Sequence, residues 1–138
     1  MHDHRRRRAL LMACGLACFL AVALTGLPAA DPRPKVIKLD PQGKGYLRLL
    51  GGPPETSTMR SGLVTLAAGA SVGKHNTEGF EELMIVLEGE GEMRVTGGGT
   101  FRLAEGTAAY CPSRTEHDVA NTGTKPLRYI YVVADAKQ

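Results

Sequence analysis

From residue 36 onward the apolar residues fall in short runs, rich in β-branched and aromatic side chains, separated by turn-forming clusters. The runs 36–39, 46–50, 61–66, 82–88, 91–96, 100–103, 107–110, 117–120 and 127–134 predict strands. Between them stand GGPPE, AAGA, GEG, GGG, AEG, CPS and NTGTKP. No stretch beyond residue 30 sustains the apolar period of about 3.6 that a helix needs. The pattern therefore predicts an all-β fold, a barrel or a sandwich. Glu88-Gly89-Glu90-Gly91 is expected to be a hairpin connection, its glycines supplying positive φ. The triplet 97–99 lacks the Lys-Ser/Thr and the helix of a phosphate-binding loop, and reads as a turn. Gly51-Gly52-Pro53-Pro54 marks a loop.

The first thirty residues have a different texture. A charged segment containing Arg5 to Arg8 precedes an apolar stretch from Ala9 to Leu27, which ends in small residues. This is the layout of a secretory signal, with cleavage expected near Ala29 or Ala30. An uncleaved membrane anchor is the alternative, because the apolar stretch is just long enough to span a bilayer. Arg7 and Arg8, followed by Ala9-Leu10-Leu11, also resemble a twin-arginine export signal. Residues 31–35 read as a Pro-rich linker, and residues 36–138 as the single domain that the length allows.

Setting the arm aside changes the charge argument. It holds four of the seventeen basic residues and one of the fourteen acidic ones, leaving thirteen of each. The basic character thus belongs to the arm, and the domain offers no nucleic acid a polycationic face. Of the three cysteines only Cys111 lies in the domain, so no disulfide framework holds it together. Cys14 and Cys18 sit inside the apolar run rather than at its end, which argues against a lipid-attachment cysteine.

Only two histidines belong to the domain, His75 and His117, and each is embedded in a spaced pattern. The first reads Gly69, five residues, His75, then Thr77, Glu82 and Gly89. The second reads Gly106, five residues, Pro112, then Arg114, His117 and Asn121. These spacings resemble the two motifs of the cupin superfamily. The departures are Thr77, where the family has a second histidine, and Arg114, where it has glycine. The resemblance implies a small double-stranded β-barrel of the cupin or jelly-roll type. It does not select an activity, because such folds host many functions.

In that barrel the family's His-x-His points two imidazoles inward, since side chains two apart in a strand share a face. Thr77 is expected to offer a hydroxyl at the second position, and Glu82 to open the next strand. The resemblance thus implies a metal site of His75, Glu82 and His117, a two-His-one-carboxylate set that suits one divalent transition metal: Fe, Mn, Ni, Cu or Zn. The missing ligand keeps a second reading open, a metal-free polar pocket in which buried Glu82 takes hydrogen bonds from Thr77, His75 or Arg60. Glu78 is either a replacement ligand or a solvated side chain, and Glu81 should face outward.

Cys111 reads as a buried small hydrophobe, Asn121 as turn chemistry, and Arg114 as a solvated loop residue or an anion holder at the mouth. Met84, Val86 and Tyr110 are candidates for pocket lining or core. Leu83, Ile85 and Leu87 form a second apolar face that suits a homodimer. The function expected is that of an exported, periplasmic or secreted cupin with a mononuclear metal centre, an oxygenase or isomerase acting on a small molecule. Glu78 and Tyr110 are the acid–base candidates. The alternative is a non-catalytic module binding a small molecule or metal. The chain has no Trp, which argues against carbohydrate stacking. A membrane partner is expected only if the arm is retained.

Overall fold

The computed structural model describes residues 32–40 and 42–136. The expected signal or anchor, residues 1–30, lies outside the described residues. Nine strands follow one another: β1 (Gly45–Gly51), β2 (Arg60–Leu66), β3 (His75–Asn76), β4 (Phe80–Glu88), β5 (Glu90–Val95), β6 (Gly99–Ala104), β7 (Ala108–Cys111), β8 (Glu116–Ala120) and β9 (Leu127–Asp135). They form a five-stranded sheet ordered β1-β2-β9-β4-β7 and a four-stranded sheet ordered β3-β8-β5-β6. Every strand pairing is antiparallel. The described residues contain no helix, as the pattern predicts, and the two sheets enclose one core, the jelly-roll barrel that the resemblance implies.

Strict alternation builds that core. In β4, Glu82, Met84 and Val86 are buried while Leu83, Ile85 and Leu87 are exposed. Cross-strand partners share a face, so Met84 stands beside Tyr131 and Val86 beside Tyr129. From this sheet Val64, Leu66, Leu127 and Tyr129 meet Met93, Leu103 and Val119 of the other. Each buried side chain of this kind contributes about 1.5–3 kcal/mol of transfer free energy.

Two expectations need correction, and one strand went unpredicted. Residues 36–39 are not a strand: the segment 32–40 carries no strand pairing and Val36 is 99% exposed. Pro32 and Pro34 lack the N–H groups a ladder needs, and four residues of weak alternation do not compensate. Residues 88–91 are not a hairpin. β4 and β5 belong to different sheets, so the chain crosses the barrel there. Gly89 makes the crossing with φ 82°, and a Cβ on it would lie 2.3 Å from the Pro126 carbonyl oxygen. Finally, β3 was invisible as a run because its two residues are polar. It exists through its pairing with β8.

An equally tight approach between chain segments is at Gly91. A Cβ there would sit 2.3 Å from the Ala120 carbonyl oxygen and 2.6 Å from a Leu127 methyl. The backbone contact cannot be relieved by a rotamer change. Gly91→Ala is expected to destabilise the fold by about 1–3 kcal/mol, a fall in melting temperature of roughly 4–8 °C per kcal/mol. An unchanged thermal melt would contradict this packing.

Candidate metal centre

The register of the shortest strand pair builds the site. His75 of β3 lies directly opposite His117 of β8, so their imidazoles meet side by side, ring centroids 4.3 Å apart. Glu82 reaches them from the facing sheet. Its Oε2 lies 3.4 Å from Nε2 of His117. A nitrogen of each imidazole and a carboxylate oxygen all fall within 4.8 Å of one another. The three residues named from sequence are thus brought together: His75 on the exposed rim, Glu82 at 7% exposure and His117 at 0%.

The hydrogen bonds prepare these atoms. Nδ1 of His75 lies 2.9 Å from the Gly73 carbonyl oxygen, to which only an N–H can donate. That leaves Nε2 of His75 unprotonated in the neutral ring, the tautomer a metal requires. Nδ1 of His117 lies 3.4 Å from Sγ of Cys111. Nε2 of His117 is buried and has no hydrogen-bond partner, since the Glu82 contact has the distance of an ion pair rather than the geometry of a hydrogen bond. Burial pushes the Cys111 thiol above its ordinary pKa, and the Glu82 charge adds to the rise, so the thiol stays protonated.

Thr77 departs from its expected role. It is buried, but its hydroxyl donates to the Pro112 carbonyl at 2.8 Å and accepts the Thr115 N–H at 3.0 Å. Its backbone N–H also donates to the Thr115 carbonyl at 3.1 Å. Thr77 therefore clamps the first motif to the second. None of the donors expected for Glu82 is spent on it. Thr77 serves the Pro112 loop, His75 serves Gly73, and Arg60 lies over the ring of Phe80, 4.9 Å from its centroid.

The remaining candidates separate cleanly. Glu78 stands at the cavity rim with φ 52°, outside the ligand cluster. Arg114 has φ 57°, which explains why the family pattern places glycine there, and its side chain is exposed and away from the cavity. Tyr110 points outward, donating its hydroxyl to Glu81 at 2.9 Å, so it is neither pocket wall nor acid–base group. Met84, Val86 and Cys111 are core. Asn121 goes beyond turn chemistry: its Nδ2 donates to the carbonyls of Leu66 and Lys125, and its Oδ1 accepts the Gly123 N–H.

The cavity above the cluster has a volume of about 510 Å³. Tyr46, Arg60, Phe80 and Tyr131 line it; the sequence offered Arg60 only as a donor to Glu82, and the three aromatic residues were not assigned there. The available signal was the phase of the alternation: residues 129, 131 and 133 share a face, as do 80 and 82.

Two predictions follow from the geometry. Thr77→Val would strip the Pro112 carbonyl and the Thr115 N–H of their partner, at a cost of about 1–3 kcal/mol. A denaturation midpoint within experimental error of the parent would contradict the clamp. In metal-free protein the Glu82 carboxylate raises the pKa of His117 above its ordinary 6.5, and burial opposes it. A raised pKa means the folded state holds the proton more tightly. The resulting stabilisation is complete below about pH 6.5 and is lost as pH rises through the raised value. Chelator-treated protein should lose stability from this source across that window, and His117→Ala should remove it. A pH-independent difference between the two would refute it.

The chain resembles proteins of known structure. It aligns with the cupin domain of Schizosaccharomyces pombe Cnp3 at 22% identity and TM-score 0.59, covering 65% of this chain and 63% of that one. A cupin 2 conserved barrel domain protein from Salinispora arenicola matches at 22% identity and TM-score 0.62, covering 75% and 91%. A predicted oxalate decarboxylase from Thermotoga maritima matches at 20% identity and TM-score 0.54, covering 72% and 99%. At these identities the likeness establishes the fold alone. No curated protein matches the chain. The family model described as cupin domain covers residues 62–133, just over half of the sequence, and spans all three cluster residues. The chain belongs to the cupin family.

Proposed function

We propose that this cupin holds one divalent transition metal, Fe, Mn, Ni, Cu or Zn, through Nε2 of His75, a carboxylate oxygen of Glu82 and Nε2 of His117, and presents it to small molecules entering the cavity. One observation carries the reading: a buried, unpartnered imidazole nitrogen aimed at a buried carboxylate, with a second imidazole alongside. Without a cation this arrangement is costly, because a buried carboxylate and an orphaned ring nitrogen forfeit hydration for one long contact. With a cation all three groups gain a ligand bond.

The residues divide the work. His75 is oriented by Gly73 and His117 is flanked by Cys111, which fixes both rings. Glu82 brings negative charge from the opposite sheet, and Val64, Val72 and Val133 give the cavity an apolar wall. Three protein ligands leave positions open, and a metal held there supplies Lewis acidity or, for a redox-active ion, one-electron chemistry. This supports a metal-dependent oxygenase or isomerase acting on a small molecule. The binding-module reading draws on a separate observation: Tyr110 faces away and Glu78 sits exposed at the rim, so neither sequence-nominated acid–base residue is held at the cluster. Export to the periplasm or the medium, and pairing of two copies through exposed Leu83, Ile85 and Leu87, belong to the same proposal.

Addition of the matching metal should raise the melting temperature, since ligand at a hundredfold its Kd adds about 2.7 kcal/mol to stability. His75→Ala/His117→Ala should abolish the rise, whereas no rise with any of the five metals would sink the proposal. Azide on the cupric protein or nitric oxide on the ferrous protein should shift the metal spectrum. A loaded metal that admits neither would leave the binding module.

A further inference from the structure

The cavity wall beyond the ligand cluster carries a cation that the metal reading does not use. Arg60 of β2 is the cross-strand partner of Val133 of β9, which is in turn the partner of Glu82 of β4. Residues in one such row share a face, so Arg60 points to the same interior side as Glu82, two strands away. At the usual strand spacing their Cα atoms stand roughly 10 Å apart.

This arginine is held in place. Its guanidinium lies over the ring of Phe80, 4.9 Å from the centroid. Its stem runs along bare backbone at Gly52, where a Cβ would meet Nε at 2.9 Å and Cγ at 3.1 Å. Gly52 has φ 85°, so no ordinary side chain replaces it without strain. Arg60 is exposed at the cavity mouth, and its guanidinium, lying between an aromatic face and a glycine, keeps its fork of donors.

Farther along the same face a pair of tyrosines from two successive rows adds a donor. Tyr46 and Tyr131 stack with ring centroids 6.2 Å apart and hydroxyls 2.7 Å apart. Gly62 makes room for them, since a Cβ there would lie 2.7 Å from each ring. One hydroxyl donates to the other, so one phenolic proton remains for a third group. The Arg60 charge reaches Tyr131, opposing the rise in its pKa that burial and the Tyr46 hydroxyl produce. The cavity of about 510 Å³ falls within the range of small-molecule sites, roughly 300–1,000 Å³.

We propose that the molecule taken at this centre is a small carboxylic acid, its carboxylate held by Arg60 and the free phenolic proton of the Tyr46–Tyr131 pair, with a second oxygen at its far end reaching the His75–Glu82–His117 cluster. The assignment of the far end rests on the metal proposal. Arg60 itself does not touch the metal; it selects charge and sets the distance at which the second oxygen lies.

The test is calorimetry on protein whose metal content has been measured, using three acids and their uncharged or singly charged amides: 4-hydroxybenzoate with 4-hydroxybenzamide, levulinate with levulinamide, and succinate with succinamate. At least one acid should bind about ten- to hundredfold tighter than its amide, the range for a hydrogen bond to a charged group. Arg60→Gln should bring that ratio to about one with metal content and melting temperature unchanged, and Arg60→Lys should restore part of it. The proposal is overturned if no acid exceeds its amide, or if the ratio survives Arg60→Gln. A protein that takes up no metal defeats the metal reading alone, because the acid-to-amide ratio and its dependence on Arg60 are then measured on the metal-free protein.

Discussion

The site depends on one register: His75 opposite His117 across a strand pair only two residues long. Shifting that pairing by one residue would turn His75 to the other face and remove an imidazole from the cavity. So short a strand has little ladder to hold it. The hydroxyl and backbone N–H of Thr77 supply what is missing by tying the first motif to the Pro112–Thr115 turn of the second. The residue that looks like a lost ligand is the one that keeps the remaining two imidazoles in line.

Around that register the electrostatics are uneven. Glu82 and His117 are both withdrawn from water and meet at 3.4 Å, a buried pair whose attraction offsets desolvation only with good geometry and further partners. The usual partners are turned elsewhere: the Thr77 hydroxyl is bonded to the loop and the His75 Nδ1 to Gly73, while the Arg60 guanidinium lies over Phe80. The barrel thus concentrates an unmet demand for positive charge at one point, between two imidazole nitrogens and a carboxylate. The divalent cation proposed for the site would meet that demand through these three residues.

Much of this was legible in the sequence, for identifiable reasons. The resemblance of the two spaced patterns to the cupin motifs located His75, Glu82 and His117, and strand pairing brings them together. Alternation in 82–88 assigned Glu82, Met84 and Val86 to the interior and Leu83, Ile85 and Leu87 to the exterior. What escaped depends on tertiary pairing. The 36–39 run had strand-like residues but no pairing partner. The turn at Gly89 looked like a hairpin because a short glycine connection has the same composition whether it returns along a sheet or crosses between two. Arg60 was named only as a donor to Glu82; its place on the cavity wall emerged when β9 set it in the row of Glu82, a neighbourhood spanning more than seventy residues of chain.

The central claim, that two imidazoles and one carboxylate converge on a single cation, is tested most directly by pulsed electron paramagnetic resonance of the cupric protein. The account predicts nitrogen modulation from two imidazoles, falling to one in His75→Ala and in His117→Ala, with no loss in Glu78→Ala. Copper bound without imidazole modulation, or modulation unchanged by either histidine substitution, would contradict it.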